Sequence, residues 1–127
     1  MTPLSNLPRW VFRVAAFYGI LVLLPQYFLE LGLGPALPEP MQRPEQFYGF
    51  VGVALVWQLA FLLIAADPIR YRRLMLVGVL EKLAFAVPVA LLFVAGRVDA
   101  AVLVFGMIDL MLGLAFIAAF RATPSLP

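Results

Sequence analysis

The sequence predicts an all-α fold, a bundle of four transmembrane helices. Three observations lead there. The 127-residue chain is 65% hydrophobic and 13% charged, whereas soluble domains run nearer half apolar and a quarter charged. Its mean hydropathy is +1.03, and a compact soluble fold of this size could not hide so much apolar surface. The apolar residues also fall in four runs, each close to the roughly 20 residues that a spanning helix needs. No run shows the strict alternation of barrel strands. A single integral membrane domain is expected over residues 1–127, with no room there for a separate soluble module.

The first span is expected at about residues 10–29, from Trp10 to Leu29. Basic residues precede it, but the apolar stretch is long and no small-x-small cleavage site follows. It is therefore expected to be a span and not a signal peptide. Pro25 lies inside it and is expected to kink the helix. The connection GLGPALPEPMQRPEQ holds four prolines, so it should be irregular and interfacial, with Pro44-Glu45 opening the second helix. The second span is FYGFVGVALVWQLAFLLIAA, residues 47–66.

Asp67-Pro68 has the pattern of an N-cap followed by proline at the first helical position. The third helix is expected to begin there, with Arg70, Tyr71, Arg72 and Arg73 in the headgroup layer. Its span is residues 74–95, with a kink expected at Pro88. Gly96 is a natural C-cap and Asp99 a natural N-cap. The fourth span, residues 100–120, should therefore return from the third in a tight hairpin.

Orientation follows from the bias of positive charge to the cytoplasmic side. One side collects six basic residues, Arg9, Arg13, Arg70, Arg72, Arg73 and Arg121, against Arg43 and Arg97 on the other. Both termini are thus expected in the cytoplasm, and the chain is expected to be a multi-pass protein of the bacterial inner membrane. Trp10 and Tyr71 fall at the inner interface, and Tyr27 and Tyr48 at the outer one. Trp57 lies off both belts and should pack between helices.

Composition removes several classes of chemistry. There are no cysteines and no histidines. That excludes thiolate nucleophiles, a haem axial histidine and most zinc sites, so no cofactor and no metal are expected. A net charge of +2 does not point to a nucleic-acid partner.

The informative residues are the ionisable ones inside the spans. The third span holds thirteen Leu, Val or Phe residues. At about −0.3 to −0.6 kcal/mol each, they contribute roughly −4 to −8 kcal/mol to insertion. A central charge costs about 2.5 to 3.5 kcal/mol on the same scale, and this span has two, Glu81 and Lys82. Lys82 lies about 12 Å deep at 1.5 Å per residue, and its side chain points toward the cytoplasmic end of its helix. It is expected to snorkel to the inner headgroups.

Glu81 shares a face with Gly78, Phe85 and Pro88, which places it inside the bundle. Neighbouring helical residues diverge by about 100°, so Glu81 and Lys82 are not expected to pair squarely. Asp109 lies near the midplane of the fourth span, on a face with Gly106 and Gly113, and is too short to snorkel. Gln58 in the second span sits at similar depth, and a Gln58–Asp109 hydrogen bond is expected, with Tyr18 supplying a hydroxyl in the same layer. The three charged groups sum to −1 when all are ionised. At least one carboxyl is therefore expected to hold a proton at neutral pH, Asp109 before Glu81.

Tyr18, Gln58, Glu81, Lys82 and Asp109 form the candidate polar site, since intramembrane ionisable residues mark functional sites by default. They could relay a proton or cation, line a pocket for a lipid-like or quinone-like ligand, or clamp helices together. Arg70, Arg72 and Arg73 form a basic cluster expected to face the headgroups and attract anionic lipid at the cytoplasmic face. Beyond the bilayer, a membrane-protein partner or a second copy of the chain is the expected kind of partner.

Four short helices, the basic turn Asp67-Pro68-Ile69-Arg70-Tyr71-Arg72-Arg73 and a polar pair in the third span resemble small bacterial membrane proteins of the DoxX-like kind. The resemblance is one of architecture, covers the whole chain and carries over no functional residue. It implies a four-helix bundle without a catalytic signature. The expected role is an accessory or small-ligand-binding membrane protein. A proton-coupled carrier of small molecules stands second, and a membrane enzyme acting on a lipid-like or quinone-like substrate third.

Overall fold

A computed structural model describes residues 6–28 and 44–126. Helix α1 spans Leu7–Leu23 and runs on into a 3-10 segment, Leu24–Phe28. Helices α2, α3 and α4 span Pro44–Ala66, Arg72–Val94 and Ala100–Ala122. With the 3-10 segment counted into the first, all four are long and apolar enough to cross a membrane. The proline-rich connection expected before Pro44, with Glu30 and Arg43, lies outside the described residues.

The helix ends follow local chemistry, with two corrections. Asp99 caps α4, its Oδ1 accepting from Val102 N at 3.0 Å. Gly96 takes φ +73° just past α3, a conformation that disfavours any side chain. Helix α3, however, begins at Arg72 and not at Pro68. Residues 68–71 form a separate turn, with Asp67 Oδ1 accepting from Arg70 N at 3.3 Å. Tyr71 departs from helical geometry (φ −100°, ψ 20°) and separates that turn from α3. Pro25 does not kink a continuing α-helix. Lacking an N–H, it cannot extend the α ladder, and the chain tightens into the 3-10 segment instead. Pro88 stays inside α3.

The helices run alternately up and down. Arg9, at the start of α1, donates to Ala65 O (3.2 Å) and Ala66 O (2.9 Å) at the end of α2. Arg72, at the start of α3, donates to Thr123 O just past α4 at 2.6 Å, and its guanidinium lies 3.7 Å from the centre of the Phe120 ring. Each cation satisfies carbonyls that a helix end leaves unpaired. The starts of α1 and α3 and the ends of α2 and α4 therefore share one end of the bundle, here called the terminal end.

Packing is uneven around the bundle. The most extensive contacts are α1 with α2 and α3 with α4, and α1 also packs along α4. Helices α2 and α3 meet sparsely. The terminal half is filled by Phe12, Phe61 and Phe116, with Met75, Ile64, Ala15, Ala16 and Ala119 around them, all buried. Phe12 and Phe116 stack at 4.2 Å, and Phe61 meets Phe116 edge-on at 4.9 Å. A Cβ on Gly78 would stand 3.2 Å from Phe61 and 3.4 Å from Phe116, so its missing side chain makes room for two rings. Val14, Val56, Leu59, Leu91, Met111 and Leu114 are exposed on the outside, an apolar girdle suited to lipid and not to water.

Candidate functional site

Above the phenylalanine plug the helices diverge around a half-open cavity of about 1190 Å³, with exposed Phe50, Val53 and Leu80 on its rim. It lies toward the end opposite the termini, where the second halves of α1 and the first halves of α2 and α4 face one another. Its walls are mostly apolar. Among the described residues six polar side chains line it: Tyr18 and Gln26 from α1 and the 3-10 segment, Gln58 from α2, Glu81 and Lys82 from α3, and Asp109 from α4. The five residues singled out in the sequence thus border one cavity instead of making separate helix contacts.

Lys82 is the centre of this group. It is 3% exposed, and its Nζ lies 3.6 Å from Glu81 Oε2 and 3.6 Å from Asp109 Oδ1. Below it, the Phe61 ring centre is 5.2 Å from Nζ, within range of a cation–π contact. The expectation that Lys82 snorkels is therefore corrected. Two carboxylates and a ring face offset its desolvation where it stands. Helix α4 packs against the lysine stem at Gly113, where a Cβ would meet Lys82 Cβ at 3.4 Å, an ordinary contact.

The expectation that Glu81 and Lys82 would not pair is corrected too. Their Cβ atoms diverge, but their long side chains bend back and meet. The contact is an ion pair and not a hydrogen bond, since charge-assisted N–H···O bonds are nearer 2.7–2.9 Å. Glu81 Oε2 is buried and accepts no hydrogen bond. Glu81 and Asp109 keep 18% and 15% side-chain exposure, the part that faces the cavity.

Gln58 is 1% exposed. It does not bond Asp109, as the sequence led us to expect. Its Nε2 donates to Ala54 O at 2.7 Å, one helical turn back. Its Oε1 is buried without a partner. This amide sits in a notch left by Gly19 of α1, where a Cβ would stand 2.0 Å from Oε1. Tyr18 lies next to Gly19 and is half-buried at the cavity wall.

Sequence reasoning missed Gly19 and Phe61. Phe61 is three residues beyond Gln58, on the same face of α2, so the spacing could have flagged it. Gly19 follows Tyr18 directly, but only the pairing of α1 with α2 puts it against Gln58. Of the basic cluster, Arg70 and Arg73 are exposed, while Arg72 turns into the protein through Thr123 and Phe120.

The arrangement can hold a small apolar molecule and offer it acceptors. Those acceptors are two carboxylates; the donors are the Lys82 ammonium and the Tyr18 hydroxyl. No protein-family model, curated protein or solved structure matches the chain.

Proposed function

We propose that this chain is an intramembrane binding protein for a small, largely apolar molecule. One observation carries the reading: a cavity of about 1190 Å³ within a small bundle, with a buried ionisable triad on its wall. Ligand sites elsewhere are of this type, apolar concavities with a few placed polar groups. A clamp between helices needs no such void, and intramembrane hydrogen bonds stabilise by only about 0.6 kcal/mol on average. The protein lies in the bacterial inner membrane with both termini in the cytoplasm, a reading supported by the gathering of Arg9, Arg13, Arg70, Arg73 and Arg121 at the terminal end. There Arg70 and Arg73 meet anionic lipid. Kinship with DoxX-like proteins is part of the same proposal, supported by helix number and the basic turn.

The test is purification in lipid nanodiscs followed by extraction and mass spectrometry. Wild-type protein is expected to retain a small molecule that Ala84→Trp, which fills the cavity from its wall, does not. Equal retention by both, with the variant folded, would overturn the reading. A second role, a proton-coupled carrier, is favoured by the two carboxyls beside the same cavity. It predicts solute uptake into liposomes driven by a pH gradient and abolished by Asp109→Asn.

A further inference from the structure

We propose that the ligand of this cavity is a lipophilic amine, bound as its ammonium cation in exchange for a proton. The inference rests on the binding reading above and adds the charge and donor character of the ligand.

The first argument is charge. Among the described residues, the charged groups facing the cavity are Glu81 and Lys82 from α3 and Asp109 from α4. Helix α1 adds the Tyr18 phenol, and α2 adds only the neutral Gln58. With both carboxyls ionised, the wall carries one negative charge in excess: two carboxylates against one ammonium. In a low-dielectric site that excess is expensive unless neutralised. A proton neutralises it when the cavity is empty. A monocation neutralises it when the cavity is filled, and the displaced proton leaves to water.

The second argument is hydrogen bonding. Lys82 Nζ stands 3.6 Å from both carboxylates, beyond hydrogen-bond range. The parts of Glu81 and Asp109 that stay accessible can accept from a ligand, whereas Gln58 Oε1 is sealed against Gly19 and takes no part. A ligand bearing N–H groups suits these carboxylates, whereas an anion or a pure acceptor does not.

The third argument is the lining. Tyr18, Phe47, Phe50, Trp57, Phe85 and Phe105 surround the space. Aromatic faces attract cations, most strongly where water is excluded. The protein already uses this contact beside the cavity, between Lys82 and Phe61. Apolar bulk with one ammonium group satisfies the walls, the acceptors and the charge together.

The test uses Trp57 fluorescence in a Trp10→Phe background, full chain in nanodiscs, with 4,4-diphenylbutylamine and the neutral 4,4-diphenylbutan-1-ol as probes. The amine is expected to bind at least about tenfold more tightly than the alcohol, with one proton released per molecule bound in weakly buffered solution. Asp109→Asn and, separately, Glu81→Gln are expected to remove the amine's advantage over the alcohol. Equal binding of both probes by the parent protein, or an advantage that survives both substitutions, would overturn the cationic ligand while leaving the cavity a binding site. Failure of both probes to perturb Trp57 would overturn both readings.

Discussion

Lys82 Nζ lies 3.6 Å from Asp109 Oδ1, and this pair ties α3 to α4 at half-depth. It makes Lys82 a structural cation as well as a part of the cavity wall. Replacing it leaves two carboxylates facing each other with nothing between them. Lys82→Met is expected to destabilise the fold by about 3 kcal/mol, the cost of breaking a buried pair on one side. The triple variant Glu81→Gln, Lys82→Met, Asp109→Asn is expected to recover most of that loss, because no unpaired charge remains. Reversible unfolding in mixed micelles measures both, and a triple variant no more stable than Lys82→Met would contradict the account.

The notch at Gly19 predicts a second effect. A methyl there would stand 2.0 Å from Gln58 Oε1, so the amide must move. Gly19→Ala is expected to cost about 1–3 kcal/mol, the usual range for overpacking. Adding Gln58→Ala removes the obstruction, and the double variant should be more stable than Gly19→Ala alone. Additive losses in the same unfolding assay would show that the two residues are not coupled.

Two arginines one position apart in sequence should behave differently. Arg72 donates to Thr123 O and covers the Phe120 ring, while Arg73 is exposed. Arg72→Ala is expected to destabilise by about 1–3 kcal/mol through the lost charge-assisted bond, and Arg73→Ala to stay within about 0.5 kcal/mol. Arg72→Lys should restore less than half, since an ammonium cannot stack flat on the ring.

The absence of cysteine makes orientation directly testable. Ser125→Cys, past α4, is expected to react with a membrane-impermeant maleimide only after cells are opened. Arg97→Cys, in the α3–α4 turn, should react in intact cells. The reverse pattern would place the termini outside.

Much of the architecture was legible because it depends on local quantities. Helix number follows from the lengths of the apolar runs. The α4 start follows from Asp99, and the α3 end from Gly96. The α3 start was misplaced because Asp67 caps a single turn, and nothing in the local pattern says that Tyr71 will leave the helix. The polar site was legible as a layer, since depth along a helix is simple arithmetic. Its bonding was not. Depth and side-chain direction send Lys82 to the headgroups, but its position depends on Asp109 and Phe61, supplied by two other helices. The Gln58 partner was judged from depth as well, although its amide turns back to its own helix in a space that Gly19 leaves open. Arg72 reads as one more headgroup cation until the end of α4 is seen beside it.

The sparse meeting of α2 and α3 has a consequence for how any occupant arrives. The two hairpins are bound like the covers of a book whose spine is the α1–α4 seam, so the easiest parting is along the fore-edge. That edge faces hydrocarbon, flanked by Val53 and Leu80. A visitor's effective concentration is then the one it reaches inside the bilayer, so half-saturation, expressed per volume of water, should fall as oil–water partitioning rises across a homologous series. Diluting the same amount of visitor into more lipid should empty the site even though the aqueous phase is unchanged in volume.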